Sequence, residues 1–499
     1  MADASGAAMD KLKTGEFSHK TSGVTDRIAA INGHATLSIA GQNPAGGNET
    51  TVLSYFLGSG HLGITYLYFA QSYLFESPAA WYAATGSYDM KPGFADVPRR
   101  PPAIPMQSTC LRCHMSAVQA SVSGTVNRYE GLPFLHMGIT CEECHGDSAA
   151  HVRSGGKAAI VNPAKLEAER RDSVCISCHL EGDVTVERAG RSALNYRPGE
   201  SISTYLAFYV RGGANATARG VSEVEQLSQS VCKRMSGDRM SCTSCHDPHF
   251  TPAAGERSAF FRKKCLACHS QAGFAATHHP ENPDCASCHM KRTGAENIPH
   301  VAWTDHRILR LPEAAPTRTT ADANLESGTE LRPIFSPGAT PRDLGMAEYK
   351  LLLDGDTRFA APAMKQLIAV KDSIGGDSVA LDALGSLAAQ RGDLGEAERD
   401  FRRVLELAPD DLTALSNLGV LEAKEGKTAE GVALLRRAFD RNEDLPGLAM
   451  NLARTECIAG DGAAARKTIQ DALVFNPGLD DLERLLDQMK DCRASHSGQ

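Results

Sequence analysis

Six copies of the sequence Cys-x-x-Cys-His lie between Cys110 and His289, and they are the residues of this chain best suited to chemistry. Each copy offers two thiols three positions apart, which can form thioethers with the two vinyl groups of one porphyrin. The histidine after the second cysteine is then placed to bind the haem iron as its proximal ligand. The motif residues are Cys110, Cys113 and His114; Cys141, Cys144 and His145; Cys175, Cys178 and His179; Cys242, Cys245 and His246; Cys265, Cys268 and His269; and Cys285, Cys288 and His289.

Other sites also use the pair Cys-x-x-Cys, among them zinc ribbons, disulfides and thioredoxin-like redox pairs. None of these requires a histidine directly after every second cysteine, whereas the histidine is present here in six copies of six. Histidine accounts for only 17 of the 499 residues, so chance does not explain the pattern. The sequence therefore predicts six covalently attached haems c.

A low-spin haem that only transfers electrons needs a second axial ligand. Of the 17 histidines, six belong to the motifs, which leaves eleven for this role. We expect His249, in Cys245-His-Asp-Pro-His, and His300 and His306, just after the last motif, to serve as ligands because they stand beside motifs in short loops. The complete set of predicted distal ligands is His19, His61, His136, His151, His249, His279, His300 and His306.

Three cysteines lie outside the motifs. Cys232, ten residues before the fourth motif, is expected to be a buried small residue. Cys457 lies in a predicted helix and Cys492 lies near the end of the chain, so both are expected to be unpaired thiols.

The composition and the motifs indicate which partners to exclude and where the protein is located. A formal net charge of −8 argues against nucleic acid as a partner, and no run of about 20 apolar residues provides a transmembrane segment. Thioether attachment takes place outside the bacterial cytoplasm, so we expect a periplasmic or otherwise extracytoplasmic protein. The first ten residues lack the basic and apolar regions of a signal peptide, so we expect the reading frame to extend upstream of Met1.

Residues 1–100 contain no cysteine and are predicted to form a β-rich, aromatic subdomain. Two apolar runs between Arg27 and Ile39 flank Asn32-Gly33, a sequence typical of a β-hairpin turn. Eleven aromatic residues between Tyr55 and Phe94, with glycine breaks, predict further short strands. These rings form either an ordinary β core or a lid over the first haems.

Residues 101–312 are predicted to form the haem domain. Its motifs start 31, 34, 67, 23 and 20 residues apart, which leaves little side-chain core between them. The porphyrins must then supply much of the buried apolar mass, with one substantial helix expected near Val221–Lys233. Residues 313–341 are polar and rich in Pro, Thr and Ala, so they are predicted to be a linker.

Residues 342–492 show an internal repeat. Small residues recur with a period of 34, at Gly385, Gly419 and Ala453, and at Gly392, Gly426 and Gly460. Small residues where helices cross, with a proline after the second helix, are typical of tetratricopeptide (TPR) repeats. We expect residues 344–374 to form a degenerate capping unit and residues 479–491 a final helix. The predicted fold class is mainly α with a small β-rich N-terminal part, in which a haem-stacked multihaem cytochrome domain precedes an α–α superhelical TPR domain.

The chain resembles bacterial multihaem cytochromes c of the cytochrome c554-like group, fused to C-terminal TPRs. The resemblance is carried by Cys144-His-Gly with His151, Cys245-His-Asp-Pro-His249, Cys288-His-Met and Thr304-Asp-His306-Arg-Ile. It implies that His151, His249, His300 and His306 are distal ligands of neighbouring haems. It also implies a seventh Cys-x-x-Cys-His upstream of Met1, with His19 as a ligand of that haem.

These observations predict an electron-transfer protein in which closely spaced, mostly bis-histidine haems relay electrons between redox protein partners, with the TPR face for docking. The alternative is a multihaem oxidoreductase of the nitrite reductase and hydroxylamine oxidoreductase type, which acts on small nitrogen or sulfur compounds at one five-coordinate haem. The relay is favoured because no Cys-x-x-Cys-Lys variant is present and histidines are in surplus. A third alternative is a TPR scaffold whose haems are structural or sensory.

Overall fold

The chain forms two compact units in a computed structural model. One unit joins residues 1–140 to residues 340–499, and we call it the two-segment unit; the other, residues 141–339, is the central unit. The central unit is therefore an insertion in the sequence of the first. The structure describes residues 2–3, 11–40, 49–94, 97–98, 103–211, 220–271, 273–278, 281–295, 298–310, 330–335 and 339–492.

The N-terminal segment of the two-segment unit consists of short antiparallel strands. They are β1 (Ala2–Asp3), β2 (Gly15–Ser18), β3 (Thr25–Ile31), β4 (His34–Ala40), β5 (Glu49–Val52), β6 (Tyr55–Leu57), β7 (Gly63–Ala70), β8 (Tyr73–Glu76), β9 (Ala79–Tyr82), β10 (Ser87–Met90) and β11 (Ile104–Pro105). β2 to β5 form one sheet in sequence order, and the others form a second sheet centred on β7. The predicted hairpin is confirmed: β3 pairs with β4 across Asn32 and Gly33, whose φ angles are 52° and 79°, as a tight hairpin turn requires.

The aromatic residues of this segment form the core of its sheets. Tyr66 and Phe75 have no exposed surface, and Tyr82 and Tyr88 are also buried. The Tyr66 hydroxyl accepts from Lys13 N–H at 3.1 Å. The Tyr88 hydroxyl contacts the Lys13 carbonyl and the Tyr66 hydroxyl, so the Lys13 backbone helps to satisfy both phenols inside the core. The segment ends with a helical turn and a small hairpin: α1 (Ser108–Leu111), β12 (Met115–Val118) and β13 (Phe134–Met137).

The central unit has many short elements, and its side-chain core includes the cluster Ile176, Leu180, Ala193, Ile202, Tyr205, Leu206 and Phe208. Its helices are α2 (Glu142–His145), α3 (Ala149–Arg153), α4 (Ala168–His179), α5 (Glu223–Gln229), α6 (Val231–Ser236), α7 (Arg257–Leu266), α8 (Phe274–Thr277) and α9 (Cys285–His289). No residue is buried in α2, α3, α6, α7 or α9. Helices that bury nothing gain little from the hydrophobic effect, as expected where a bound group has to supply the apolar mass.

Two features of the central unit differ from the sequence prediction. The helix expected near Val221–Lys233 is two shorter helices, because Ser230 has an extended backbone and its side chain caps α6 by accepting from Lys233 N–H. The strands of this unit are β14 (Val184–Glu187), β15 (Leu206–Arg211), β16 (Arg292–Gly294), β17 (Ala302–Thr304) and β18 (Leu331–Pro333). β18 lies inside the segment predicted as a linker, yet it pairs with β15 and extends the β14–β15 sheet.

The C-terminal segment is an array of helical hairpins: α10 (Pro341–Leu353), α11 (Ala360–Ala369), α12 (Ser378–Arg391), α13 (Leu394–Leu407), α14 (Leu412–Lys424), α15 (Thr428–Phe439), α16 (Pro446–Ile458), α17 (Gly462–Phe475) and α18 (Asp480–Gln488). α12, α14 and α16 begin at residues 378, 412 and 446, so the predicted period of 34 is confirmed. A Cβ at Gly385 would lie 2.8 Å from the Phe401 ring, which explains the small residue at this position.

The array packs against the N-terminal segment, far away in sequence. The Tyr73 hydroxyl donates to the Arg441 carbonyl at 2.9 Å, and the Tyr73 and Phe475 rings meet edge to face at 5.0 Å. Asn442 and Asn476, 34 residues apart, repeat one contact. Each accepts a backbone N–H of the N-terminal segment through Oδ1, from Val126 and Ala103 respectively.

A disulfide corrects one prediction. Cys457 and Cys492, expected to be separate thiols, are bonded to each other. The residues following α18 return toward α16, and a separation of 35 residues, close to one repeat, brings the two side chains together. No helix among the described residues has the length and apolar character needed to cross a membrane.

Candidate haem sites

Five of the six motifs lie in helical turns, which place the two cysteines and the histidine of each motif on one side. In the second, fourth and fifth motifs the histidine N–H donates to the first cysteine's carbonyl at 2.9–3.0 Å. The third motif ends α4, and the sixth forms α9. Residues three and four positions apart share one face of a helix. Five motifs therefore present both thiols and the imidazole on one side, as attachment to a single porphyrin requires.

The motif cysteines are available for attachment. All twelve are free thiols and none is buried. Among the described residues no group of three or more His, Cys, Asp or Glu side chains is arranged to hold a metal ion. A structural zinc needs about four such ligands. In a haem the porphyrin supplies four nitrogen ligands, and the protein supplies one or two axial ligands. Each motif provides two free thiols and one imidazole, which is the set that a covalently attached haem needs.

Hydrogen bonds select the tautomer of four histidines. Nδ1 lies 2.7 Å from the Val161 carbonyl in His145, and 2.6 Å from the Leu309 carbonyl in His289. The same contact joins His306 to Thr304 at 2.8 Å, and His151 to Ala158 at 2.7 Å. A carbonyl only accepts, so Nδ1 carries the proton in all four. In the neutral ring Nε2 is then unprotonated and able to bind iron.

Two motif histidines face predicted distal ligands in the central unit. The rings of His145 and His249 have centroids 5.9 Å apart and planes 13° apart. The rings of His246 and His306 are 6.3 Å apart, with planes 30° apart. Two imidazoles on one iron, each with a metal–nitrogen bond of roughly 2 Å, have centroids roughly 6 Å apart. Both pairs therefore have the spacing of axial ligands.

A third pair involves a residue outside the predicted set. His289 of the sixth motif faces His278, with ring centroids 5.9 Å apart and planes at 20°. The predicted ligand was the adjacent His279, which lies outside the described residues. Nothing in the local sequence distinguishes the two neighbours.

The other predicted ligands stand in varied surroundings. His61, His136 and His300 are exposed. His19 is buried, its Nδ1 lies 2.7 Å from Ser22 Oγ, and it lines a cavity together with Tyr68 and Phe475. These positions leave their ligand roles as predictions.

Hydrogen bonds between thiols place two pairs of motifs side by side. A hydrogen bond from Cys175 to Cys242 raises the pKa of the Cys175 thiol and lowers that of Cys242. It joins the third motif to the fourth. Burial, followed by the nearby Cys285 thiol, raises the pKa of Cys265 to about 11. Cys265 and Cys285 also hydrogen-bond, which joins the fifth motif to the sixth.

Electrostatic contacts between thiols continue the series. The pKa of Cys144 is raised first by burial and next by the Cys178 thiol, which links the second motif to the third. The pKa of Cys245 is raised first by burial and next by Cys268, which links the fourth motif to the fifth. Each of motifs two to five is therefore influenced electrostatically by the motif that follows it.

Glu223 is a further residue of the site that sequence reasoning missed. It begins α5, and its Oε2 lies 3.8 Å from Nδ1 of His179 in the third motif. The sequence offers no signal for this contact, because 44 residues separate the two and no motif includes the glutamate.

Comparison with known proteins places the chain beside multihaem proteins. The multiheme cytochrome MtrA of Shewanella baltica is 23% identical over 179 residues, which cover 33% of this chain and 52% of MtrA. The dissimilatory sulfite reductase MccA of Wolinella succinogenes is 25% identical over 181 residues, which cover 31% of this chain and 22% of MccA. The chain thus spans about half the length of MtrA and less of MccA. No protein-family model matches.

Solved structures with helical similarity cover smaller parts of the chain. MamA AMB-1 matches 31% of this chain and 88% of its own, with 20% identity and a TM-score of 0.28. An O-GlcNAc transferase of Thermobaculum terrenum matches 22% of each chain, with 28% identity and a TM-score of 0.21. The helical repeat is therefore assigned from the chain's own helix spacing.

Proposed function

We propose that this chain is an extracytoplasmic multihaem cytochrome c that relays electrons through six covalently attached haems, most of them with two histidine ligands. Each bound haem supplies a one-electron iron couple. The proximal ligands are His114, His145, His179, His246, His269 and His289. His278, which faces His289 in the structure, joins the predicted distal ligands, so there are more candidates than haems. The proposed distal ligands are His19, His61, His136, His151, His249, His278, His279, His300 and His306.

The facing histidine pairs carry this proposal. The pairs His145–His249 and His246–His306 combine a motif histidine with one from a distant loop at the spacing of axial ligands. Nδ1–H donation to carbonyls in His145 and His306 keeps Nε2 free for the metal. An iron with two imidazole ligands is low-spin and has no open position for a substrate, which favours electron transfer over catalysis. The similarity to MtrA and MccA supports haem binding and electron transfer in general.

The thiol contacts support a continuous path. From the second motif to the fifth, a cysteine of the next motif shifts a thiol pKa, which supports haem sites that lie near one another. Electrons would pass from haem to haem in sequence order through the central unit. The first motif lies in the other unit, and its place in the path is the part of this proposal that rests on sequence alone.

The location and the partners follow from chemistry outside the haem sites. The Cys457–Cys492 disulfide is typical of an oxidising compartment, which agrees with thioether attachment outside the cytoplasm. Helical repeat arrays expose extended faces suited to protein binding. We therefore assign redox protein partners to the part of the array that the N-terminal segment leaves uncovered.

The test is production of the full chain with an export signal and the haem maturation apparatus. Intact mass should show six haem additions, and the optical spectrum should be low-spin. The double variant Cys242→Ser/Cys245→Ser should lose one haem. The matched control is Cys232→Ser, ten residues before the fourth motif, which should keep all six.

Two outcomes would contradict the proposal in different ways. Fewer than six additions, or zinc in place of haem, would remove the cofactor assignment. A high-spin ferric fraction that binds cyanide in the wild-type protein would instead favour the oxidoreductase that acts at a five-coordinate haem.

A further inference from the structure

One face of helix α5 contacts residues of two neighbouring haem sites. Glu223 Oε2 lies 3.8 Å from Nδ1 of His179 in the third motif. Three residues later, Gln226 Oε1 accepts from the backbone N–H of His306 at 2.9 Å, and the His306 ring faces that of His246 in the fourth motif. Residues three apart share a helical face. α5 thus supports the third and fourth sites together.

The Glu223 carboxylate is aimed at His179 without a formed hydrogen bond. Its Oε2 atom is buried and has no hydrogen-bond partner within the described part of the chain. The 3.8 Å to Nδ1 exceeds the roughly 3.2 Å limit of a normal N–H···O bond. A buried carboxylate oxygen without a donor is costly. The His179 side chain is 63% exposed and has room to turn, so a small rotation of its ring closes the gap.

The acceptor at His179 differs from those at other motif histidines. Nδ1 of His145 and of His289 donates to backbone carbonyls, of Val161 and Leu309, and these are neutral. A carboxylate in this position forms a charge-assisted bond, which is stronger and shifts electron density toward Nε2. The chain therefore contains two kinds of axial histidine, one with a charged acceptor and one with neutral acceptors.

We propose that, in the haem-loaded protein, the Glu223 carboxylate accepts a hydrogen bond from Nδ1–H of His179. This bond gives the third haem a lower reduction potential than the second and sixth haems. This inference rests on the haem attachment proposed above. A more basic imidazole and a buried negative charge both stabilise Fe(III) relative to Fe(II). The couple itself is unchanged: one electron is added to the iron, and no bond or proton is lost. Glu223 is a positioning residue that acts through His179.

The test is a reductive titration of the full, haem-loaded protein with dithionite, followed by optical and electron paramagnetic resonance spectra. Glu223→Gln keeps the shape of the side chain and removes its charge. One haem component should move to higher potential by at least tenfold in its redox equilibrium constant, about 59 mV for one electron. The matched control is Glu225→Gln, which removes a buried carboxylate two residues away on the same helix and should shift every component less than threefold.

The possible results separate this inference from the haem assignment. A full set of six haems, with every component of Glu223→Gln within threefold of wild type, overturns the role of Glu223 alone. Equal shifts in Glu223→Gln and Glu225→Gln also overturn it, since they show a general field effect. A wild-type protein without haem at the third motif overturns the proposed function instead. If Glu223→Gln does not fold, an experimental structure of the loaded wild type decides: an Nδ1–Oε distance above 3.5 Å refutes the bond.

Discussion

Replacing Asn476 with alanine should loosen the array from the N-terminal segment. The Asn476 side chain is buried, its Oδ1 accepts from Ala103 N–H at 3.0 Å, and its Nδ2 donates to the Asp444 carbonyl at 2.8 Å. Asn476→Ala leaves both backbone groups without partners. Each unsatisfied buried group costs about 1–3 kcal/mol. Because Ala103 is only half-buried and partly reached by water, we expect a loss of roughly 2–4 kcal/mol in total.

Urea unfolding of the full chain gives the change in free energy, and hydrogen exchange locates it. In Asn476→Ala the Ala103 amide should exchange faster, while α12 to α15 keep their protection. The matched control is Asn417→Ala. Asn417 donates to Ser386 Oγ at 3.2 Å inside the array and contacts no backbone group of the N-terminal segment in the described structure. Asn417→Ala should lower the free energy of unfolding by about 1 kcal/mol and leave the exchange rate of the Ala103 amide unchanged. A loss below about 0.5 kcal/mol, or an unchanged Ala103 exchange rate, would refute the reasoning.

Four further variants test the remaining assignments. His249→Ala and His306→Ala should each convert one haem to high spin, which the optical spectrum detects. An unchanged low-spin spectrum would show that these histidines are not ligands. Burial raises the pKa of Asp444 to about 7, so the folded state holds a proton that the unfolded chain releases, and stability falls as pH rises from about 4 to 7. Asp444→Asn should remove this slope and add roughly 2–4 kcal/mol at pH 8; parallel pH profiles of urea unfolding would contradict it. Cys492→Ser should destabilise the array by roughly 3–4 kcal/mol, since the disulfide closes a 35-residue separation, and an unchanged melting temperature would show that the bond carries no stability.

Local and periodic features were predictable from the sequence. Asn32-Gly33 specifies its hairpin through the φ angles that only such residues adopt easily. The 34-residue period of small residues marks where helices cross, so the 34-residue spacing of α12, α14 and α16 was predictable. The position of His249 directly after its motif likewise suggested a ligand role, and the structure places its ring opposite His145.

Contacts between distant segments were not predictable, for a physical reason. Neither Asn442 nor Asn476 differs in local pattern from an ordinary helix-ending asparagine, and only the three-dimensional path brings Val126 and Ala103 to them. The same holds for the Cys457–Cys492 bond, and for β18, whose pairing with β15 overrides a linker-like composition. Glu223 belongs to this class, since it gains its role from the imidazole of His179, 44 residues away in the sequence.

The two-segment unit also sets an order of events in time. Its closing contacts join residues 316 to 373 positions apart, from Val126–Asn442 to Ala103–Asn476. A chain that is synthesised from its amino end reaches Asn442 long after the last motif, which ends at His289. Until then the Tyr73 ring has no Phe475 ring to pack against, and the two segments of this unit are not yet joined. If haem is attached at the six motifs as proposed, attachment therefore has time to proceed before this unit completes its fold, and the last repeat is the element that completes it.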